Sequence, residues 1–472
     1  MHQSLSPAPS PITAPGPILP VLARLALPIL AVQILDMLVG MTDSWLAGTQ
    51  LGRPEHLAAM NLVNYCLWFL ISIFSLVSIG TTAIVARSIG AGEYHEARRI
   101  ANVSLFWGGL LCLVPMLGLY FFSRPVVELL GLHGTAAELA ARYFLFLIPA
   151  LPAMMIESVG GGALRAAGDT FSPMLSMVAV NAIDMLVSFG LVVGLGPFPQ
   201  LGWDGLVIGT VAGYGVGVLI MLWAMNRGTA GLKIIPAEIR WDAARAWRIF
   251  SVGIPGGIDL LAMIGCHLWF MRVINDLGEV SAAAHGVAIR LESLSYLPVA
   301  ALQVAATTMV GQNLGAGQPA RATRSVWIAC LVGEAFLILS CAILFFGNEF
   351  LARMFVKSDQ PEVIAQAARA LRIVTLAQPG LVILMILTGA LRGAGDTRWP
   401  LLVTFVGFLL VRIPLGTALA HSSLTLPWMA QSLPLLGWGL SGAWYAMVID
   451  IYVRTALVVW RFSGGKWKKA RV

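Results

Sequence analysis

Apolar positions in this chain come in long unbroken runs, without the alternating face of a water-soluble helix or strand. The stretches "IACLVGEAFLILSCAILFFG" (328–347) and "LLVTFVGFLLV" (401–411) carry one acid between them. Runs of about 20 such residues, at 1.5 Å each, cover the ~30 Å hydrocarbon core of a bilayer. Twelve can be counted: 20–46, 56–82, 97–122, 138–162, 172–196, 204–225, 246–274, 282–309, 324–347, 364–388, 399–420 and 437–461. In lipid each backbone polar group must find its partner within the segment, so these spans are helices. They are too long and too continuously apolar for barrel strands. The pattern predicts an all-α integral membrane protein with twelve transmembrane helices.

The polar punctuation between spans repeats. "GGALRAAGDT" (161–170) is answered by "TGALRGAGDT" (388–397), and nine of twelve positions from Gly162 to Pro173 match those 227 residues later. "VARSIGAGEYHEARR" (85–99) aligns without gaps on "VGQNLGAGQPARATR" (310–324), Pro28 on Pro255, and "LGW" (201–203) on 436–438. Landmarks in the same order at a nearly constant offset mean a duplicated half. Six spans per half give both halves one orientation, so we expect two parallel-repeat six-helix bundles about an axis along the membrane normal. The expected divisions are a disordered tail (1–17), a first bundle (18–225), a cytoplasmic linker (226–245), a second bundle (246–462) and a basic cytoplasmic tail (463–472). The opening "MHQSLSPAPSPITAPGP" has no basic start followed by an apolar core, so it does not read as a signal peptide.

The repeated phrase reads as a tight hairpin. Arg165 and Arg392 end the fourth and tenth spans, near the negative end of the helix dipole. Gly168 and Gly395 suit the positive φ of a helix stop, and Pro173 and Pro400 the first turn of the next helix. Asp169 and Asp396 follow four residues after the arginines and are expected to pair with them across the turn. A phosphate cradle is not indicated, since no G-x-x-x-x-G-K-[ST] is present.

Composition adds direction. Hydrophobic residues make up 58% and charged residues 11%, too few charges to coat a water-facing surface. With the N-terminus inside, nineteen Lys and Arg fall on inner segments and eight outside: Arg53, Arg124, Arg142, Arg272, Arg353, Lys357, Arg369 and Arg372. This places a multi-pass protein in the plasma (inner) membrane with both termini cytoplasmic. The net charge of +7 is then mostly a topological signal, and no nucleic-acid partner is needed. Five cysteines without a C-x-x-C and seven histidines without ligand spacing imply neither disulfide framework nor metal centre, and no cofactor is expected.

"ALRAAGDT" and "ALRGAGDT" resemble the signature of the multidrug and toxic compound extrusion (MATE) family, as do "AAHGVAIRLESL…PVAALQVAATTMVGQNLGAG" (283–317), "RIPL" (412–415) and "TDSWLAGTQLG" (42–52). The resemblance covers essentially the whole chain after residue 20. It implies two six-helix bundles in a V-shaped arrangement around a central cavity. It also implies efflux of amphipathic or cationic small molecules in exchange for H⁺ or Na⁺.

An ion-coupled carrier needs a group whose occupancy depends on which side is open, and a carboxylate inside the membrane is the usual one. Asp36 and Asp43 lie seven residues apart on the first span, about 700° of turn and so nearly one face. Asp43 stands where the family carries the acid of its D-x-x-x-x-G, here "DSWLAG". Asp184 lies one turn before Ser188, the position where many relatives carry an acid, and Ser188 and Thr210 are candidate neutral ligands. One branch of the family has acids in its seventh and tenth helices where this chain has Met263 and Leu381. The coupling site, a possible Na⁺ site included, is therefore expected at Asp43, Asp36 and Asp184, with Asp259 a lesser candidate in the second half. Arg290 and Glu292, Arg412, Glu334 and the Asp450–Arg454 pair read as internal charge pairs, and Glu157, near the end of the fourth span, as facing the cytoplasmic water.

These readings converge on a secondary active multidrug antiporter working by alternating access, acting as a monomer in the lipid bilayer. A flippase for lipid-linked saccharides or other lipids of related fold is the alternative, and it would line its cavity with cations. The acids of the first half argue against that. A membrane-embedded enzyme would need a clustered His, Asp or metal-ligand set at one membrane face, and the sequence offers none.

Overall fold

The computed structural model describes residues 11–356, 359–424 and 433–470. Among them are twelve helices long and apolar enough to cross a membrane. The first six are α1 (Ile18–Gln50), α2 (Pro54–Gly90), α3 (Tyr94–Leu129), α4 (Gly134–Ala167), α5 (Phe171–Val193) and α6 (Trp203–Asn226). The second six are α7 (Ala243–Asn275), α8 (Glu279–Gly315), α9 (Pro319–Phe346), α10 (Pro361–Gly393), α11 (Arg398–Ala420) and α12 (Gly439–Ser463). The all-α, twelve-span architecture is the one the apolar runs predict.

Several helices outrun their apolar stretches. α2 and α8 have 37 residues each, about 55 Å of helix against a ~30 Å hydrocarbon core. Apolarity marks lipid contact, whereas backbone hydrogen bonding continues until the chain is made to turn. The repeated Gly-Ala-Gly does this, with Gly92 at φ 77° and Gly317 at φ 69°. Gly168 and Gly395 take φ 95° and 86°, the helix stops expected of the repeated phrase.

Three spans depart from regular α geometry. α1 widens to a π turn at Leu46–Gln50, three residues after Asp43, and α11 does so at Val406–Arg412. α4 tightens to a 3₁₀ turn at Ile148–Ala150, around Pro149, which lacks the N–H an unbroken helix needs. A short helix not foreseen in the sequence, Asn348–Phe355, lies between α9 and α10.

The described residues form two compact units, the first up to Gly257 with Gly311–Gln318, the second Ile258–Val310 with those from Pro319 onward. The start of α7 and the tip of α8 thus belong with the first six helices, a division different from that of the sequence repeat. Glycine explains the grouping. A Cβ on Gly253 would lie 1.8 Å from the Leu76 carbonyl oxygen, and one on Gly90 would lie 2.0 Å from that of Gln312. Only a hydrogen side chain allows such backbone approach.

Part of the segment expected to be a disordered tail is packed. Ile12 and Thr13 are buried, and Gln318 Nε2 donates to the Thr13 carbonyl at 3.2 Å. Ile12 sits over Gly168, where the missing side chain leaves it room. Residues 1–10 of that tail lie outside the described residues. The linker is strapped to α3, with Asn102 bonding both the Lys233 carbonyl (2.9 Å) and the Ile235 N–H (3.1 Å). In the basic tail, Trp467 is fully buried, stacked on Phe462 at 4.7 Å.

The hairpin charges pair otherwise than expected. Asp169 accepts from the N–H groups of Phe171 (3.1 Å) and Ser172 (2.9 Å), capping α5 instead of meeting Arg165. Asp396 pairs with Arg461 at 2.8 Å, and Arg392 reaches Asp259 at 2.5 Å. A carboxylate just before a helix lies closest to that helix's unpaired N–H groups, while a long guanidinium extends to acids on other helices.

Candidate functional site

Asp43, Asp184, Ser188 and Thr210 gather in the first unit. Asp43 is 5% exposed on α1, Asp184 2% exposed on α5, and Asp184 is the neighbouring charge that acts on Asp43. The Ser188 hydroxyl reaches Asp184 Oδ1 at 2.9 Å and the Leu206 carbonyl at 3.2 Å. Thr210 Oγ1 lies 3.2 Å from the same carbonyl and 3.2 Å from the Tyr143 hydroxyl.

Close packing of α5 on α6 produces this cluster. Gly205, Gly209, Gly213 and Gly217 recur every fourth residue along one stripe of α6. A Cβ on Gly209 would fall 2.0 Å from Ser188 Oγ and 2.8 Å from Asp184 Oδ1. One on Gly213 would fall 2.6 Å from the Val180 carbonyl. The glycines let polar side chains of α5 occupy space that α6 side chains would otherwise fill.

Asp36 is not part of this group. Two turns of α1 separate it from Asp43; Arg165 is the charge acting on it, and Asp36 in turn acts on Glu157 and Tyr214. Asp36 and Asp43, expected on one face, thus have different charged neighbours, Arg165 for the first and Asp184 for the second. Among the described residues no three His, Cys, Asp or Glu side chains converge as a metal site. A Na⁺ bound here would rest on Asp43 and Asp184 with hydroxyl and carbonyl oxygens.

Two residues were missed by sequence reasoning. Tyr143, fully buried, supplies the hydroxyl beside Thr210, and the sign of it is a tyrosine within an apolar span, where a buried O–H needs a partner. Glu157 reads from the sequence as facing water near a helix end, yet it is 8% exposed. Its Oε1 meets Ser176 Oγ, which lies 2.8 Å from the Gly217 carbonyl. Glu157 and Asp184 thus share one arrangement, an acid, a serine and a carbonyl of α6 in a row.

The second unit holds its charges differently. Asp259 is 3% exposed and ion-paired to Arg392, which accounts for its charge by structure alone. Asp450, fully buried, meets Arg412 at 2.7 Å and Arg454 at 2.8 Å, the latter the expected pair one turn apart. The Phe408 ring lies under both guanidinium groups, at 5.0 and 4.5 Å. Glu334, expected in an internal pair, leaves Oε1 without a hydrogen-bond partner.

The chain is similar to known proteins in sequence and in fold. The chain is 28% identical over 460 residues to the probable multidrug resistance protein NorM of Thermotoga maritima, covering 96% of this chain and 93% of the relative. It is 24% identical over 446 residues to the multidrug resistance protein MdtK of Pectobacterium atrosepticum, covering 93% and 94%. Its fold superposes on an outward-facing multidrug resistance MATE family transporter with TM-score 0.85 at 22% identity, over 96% of this chain and 98% of that one. The sequence profile described as MatE matches twice, at residues 28–189 and 255–417, one match in each repeat. Twelve membrane-spanning helices, a duplicated half and two profile matches across most of its length make this chain a member of the MATE transporter family.

Proposed function

We propose that this protein is a secondary active multidrug exporter that moves amphipathic or cationic compounds outward in exchange for protons, with Asp184 and Asp43 as the coupling acids. The observation that carries the reading is the buried Asp43–Asp184 neighbourhood on two different helices. Two carboxylates left bare together in a low-dielectric setting repel each other and lack solvation, so a bound proton or cation is favoured. Occupancy of this site then biases which face of the carrier is open.

The Ser188 arrangement supports the proton as coupling ion over Na⁺. One hydroxyl hydrogen faces two acceptors, Asp184 Oδ1 and the Leu206 carbonyl. When Asp184 carries a proton it donates to Ser188 Oγ, which leaves the Ser188 hydrogen for the carbonyl, and each acceptor is satisfied. Glu157, Ser176 and the Gly217 carbonyl repeat this arrangement, one hydroxyl hydrogen facing a carboxyl oxygen and a carbonyl, both acceptors. The Lys and Arg tally supports cytoplasmic termini, so protons enter from the face opposite them.

The test is ethidium movement in proteoliposomes with either a pH or a Na⁺ gradient imposed, comparing wild type with Asp43→Asn and Asp184→Asn. Uphill accumulation driven by the pH gradient and lost in both variants is the expected result. Accumulation driven by Na⁺ alone would move the coupling role to that ion. No gradient-driven accumulation with folded wild-type protein would overturn the exporter reading for this substrate.

A further inference from the structure

A cavity of about 370 Å³ opens in the second unit between the short helix Asn348–Phe355 and the start of α10. Three arginines line it: Arg353 from the short helix, and Arg369 and Arg372 from one face of α10. Glu349 is the one acid of the lining, and it is held by Arg353 at 2.6 Å. Among the described residues neither Arg369 nor Arg372 has a carboxylate within ion-pair distance. The cavity therefore presents an excess of positive charge with two guanidinium groups uncommitted to an acid.

Its place in the topology makes this charge unusual. Nine spans separate the start of α1 from the end of α9, so the cavity lies on the membrane face opposite that start. That is the face with fewer Lys and Arg, and three of its eight line this one cavity. A concentration of arginine where the rest of the chain avoids it calls for an anion.

The surroundings favour a lipid anion over a soluble one. Phe346, Phe350 and Met354 are 83%, 69% and 65% exposed beside the cavity, a set of apolar side chains suited to acyl chains at the edge of a bilayer. Asn348 lines the cavity at 2% exposure with its Oδ1 lacking any hydrogen-bond partner. A headgroup that carries a hydroxyl as well as a phosphate would satisfy both Asn348 and the arginines. We propose that this cavity binds the phosphodiester headgroup of an anionic phospholipid, with phosphatidylglycerol the type that fits.

Native mass spectrometry of the full-length protein tests this, with phosphatidylglycerol and phosphatidylcholine offered at equal ratio. Wild type should retain phosphatidylglycerol preferentially, and Arg369→Gln with Arg372→Gln should weaken that preference about fivefold for each guanidinium removed. Arg369→Lys with Arg372→Lys, which keeps the charge, should retain most of it and shows that the glutamine effect is not misfolding. Arg124→Gln, removing an exposed cation elsewhere on that face, should leave it unchanged. Equal retention of both lipids, indifference to the glutamine pair, or an equal loss in Arg124→Gln would each overturn the proposal. In lipid-free detergent, glycerol 1-phosphate should not raise the melting temperature as phosphatidylglycerol does. If it does so equally, the site belongs to a soluble phosphate and the lipid assignment falls.

Discussion

Gly209 faces Ser188 so closely that a methyl group at Gly209 would lie 2.0 Å from Ser188 Oγ and 2.8 Å from the Ser188 backbone nitrogen. Backbone and acid-binding serine are both in the way, so the two helices must separate to admit it. Gly209→Ala is expected to cost about 1–3 kcal/mol by overpacking and to abolish gradient-driven transport by displacing Ser188 from Asp184. Gly215→Ala on the same helix meets nothing within 4 Å and should behave as wild type. Melting temperature and initial transport rate, measured on both, separate the site-specific effect from a general intolerance of α6 to alanine.

Tyr143 is placed to tune the site without being its ion carrier. Its hydroxyl lies 3.2 Å from Thr210 Oγ1, and Asp43 and Asp184 both act on it. Tyr143→Phe removes one buried hydrogen bond, worth about 1 kcal/mol, and keeps the ring that packs against Trp203. The expected outcome is retained uphill transport with a shifted dependence of rate on the driving ion. Complete loss of coupling, equal to that of Asp43→Asn, would instead make the phenol part of the ion path.

The sequence revealed the span count and the duplication because lipid imposes long apolar runs and because Gly168 and Gly395 must both take a left-handed turn. It also brought forward Asp43, Asp184, Ser188 and Thr210, since acids within apolar spans are rare and the family motif aligns on Asp43 and Ser188. What it did not show were relationships set by packing between helices. Arg392 could reach either Asp396 or Asp259, and only the placement of α7 beside α10 decides for Asp259. Asp36 and Asp43 share a helical face by arithmetic, yet packing sets Arg165 as the charge acting on one and Asp184 on the other. Glu157 reads as facing water because apolarity marks the span's end, while Ser176 and Gly217 of α6 lie against its carboxyl.

The Asp259–Arg392 ion pair gives a clean way to separate structure from coupling in the second unit. Asp259→Asn leaves a largely buried guanidinium uncompensated, a loss of about 3–5 kcal/mol for a buried pair broken on one side. The double variant Asp259→Leu with Arg392→Met removes both charges and should recover most of the melting temperature and the transport rate. A double variant that is stable yet unable to couple would show that Asp259 carries an ion, contrary to the structural role assigned here.

Asp242 anchors the start of α7 and makes a pH-dependent contribution. Its Oδ1 accepts from the Arg245 N–H at 3.1 Å and its Oδ2 from the Arg245 guanidinium at 2.7 Å. These bonds hold its carboxyl below the ordinary value of 3.8. A group depressed in the folded state stabilises above its unfolded value, and that contribution disappears as pH falls through the folded one. Asp242→Ala should therefore lower stability at neutral pH by about 0.5–2 kcal/mol, the usual cost of a lost cap. Asp242→Asn, which keeps an acceptor oxygen but no charge, should lose less. The gap in melting temperature between wild type and Asp242→Asn should narrow as pH falls below 3.8. A gap independent of pH would mean that the cap, rather than the charge, supplies the whole effect.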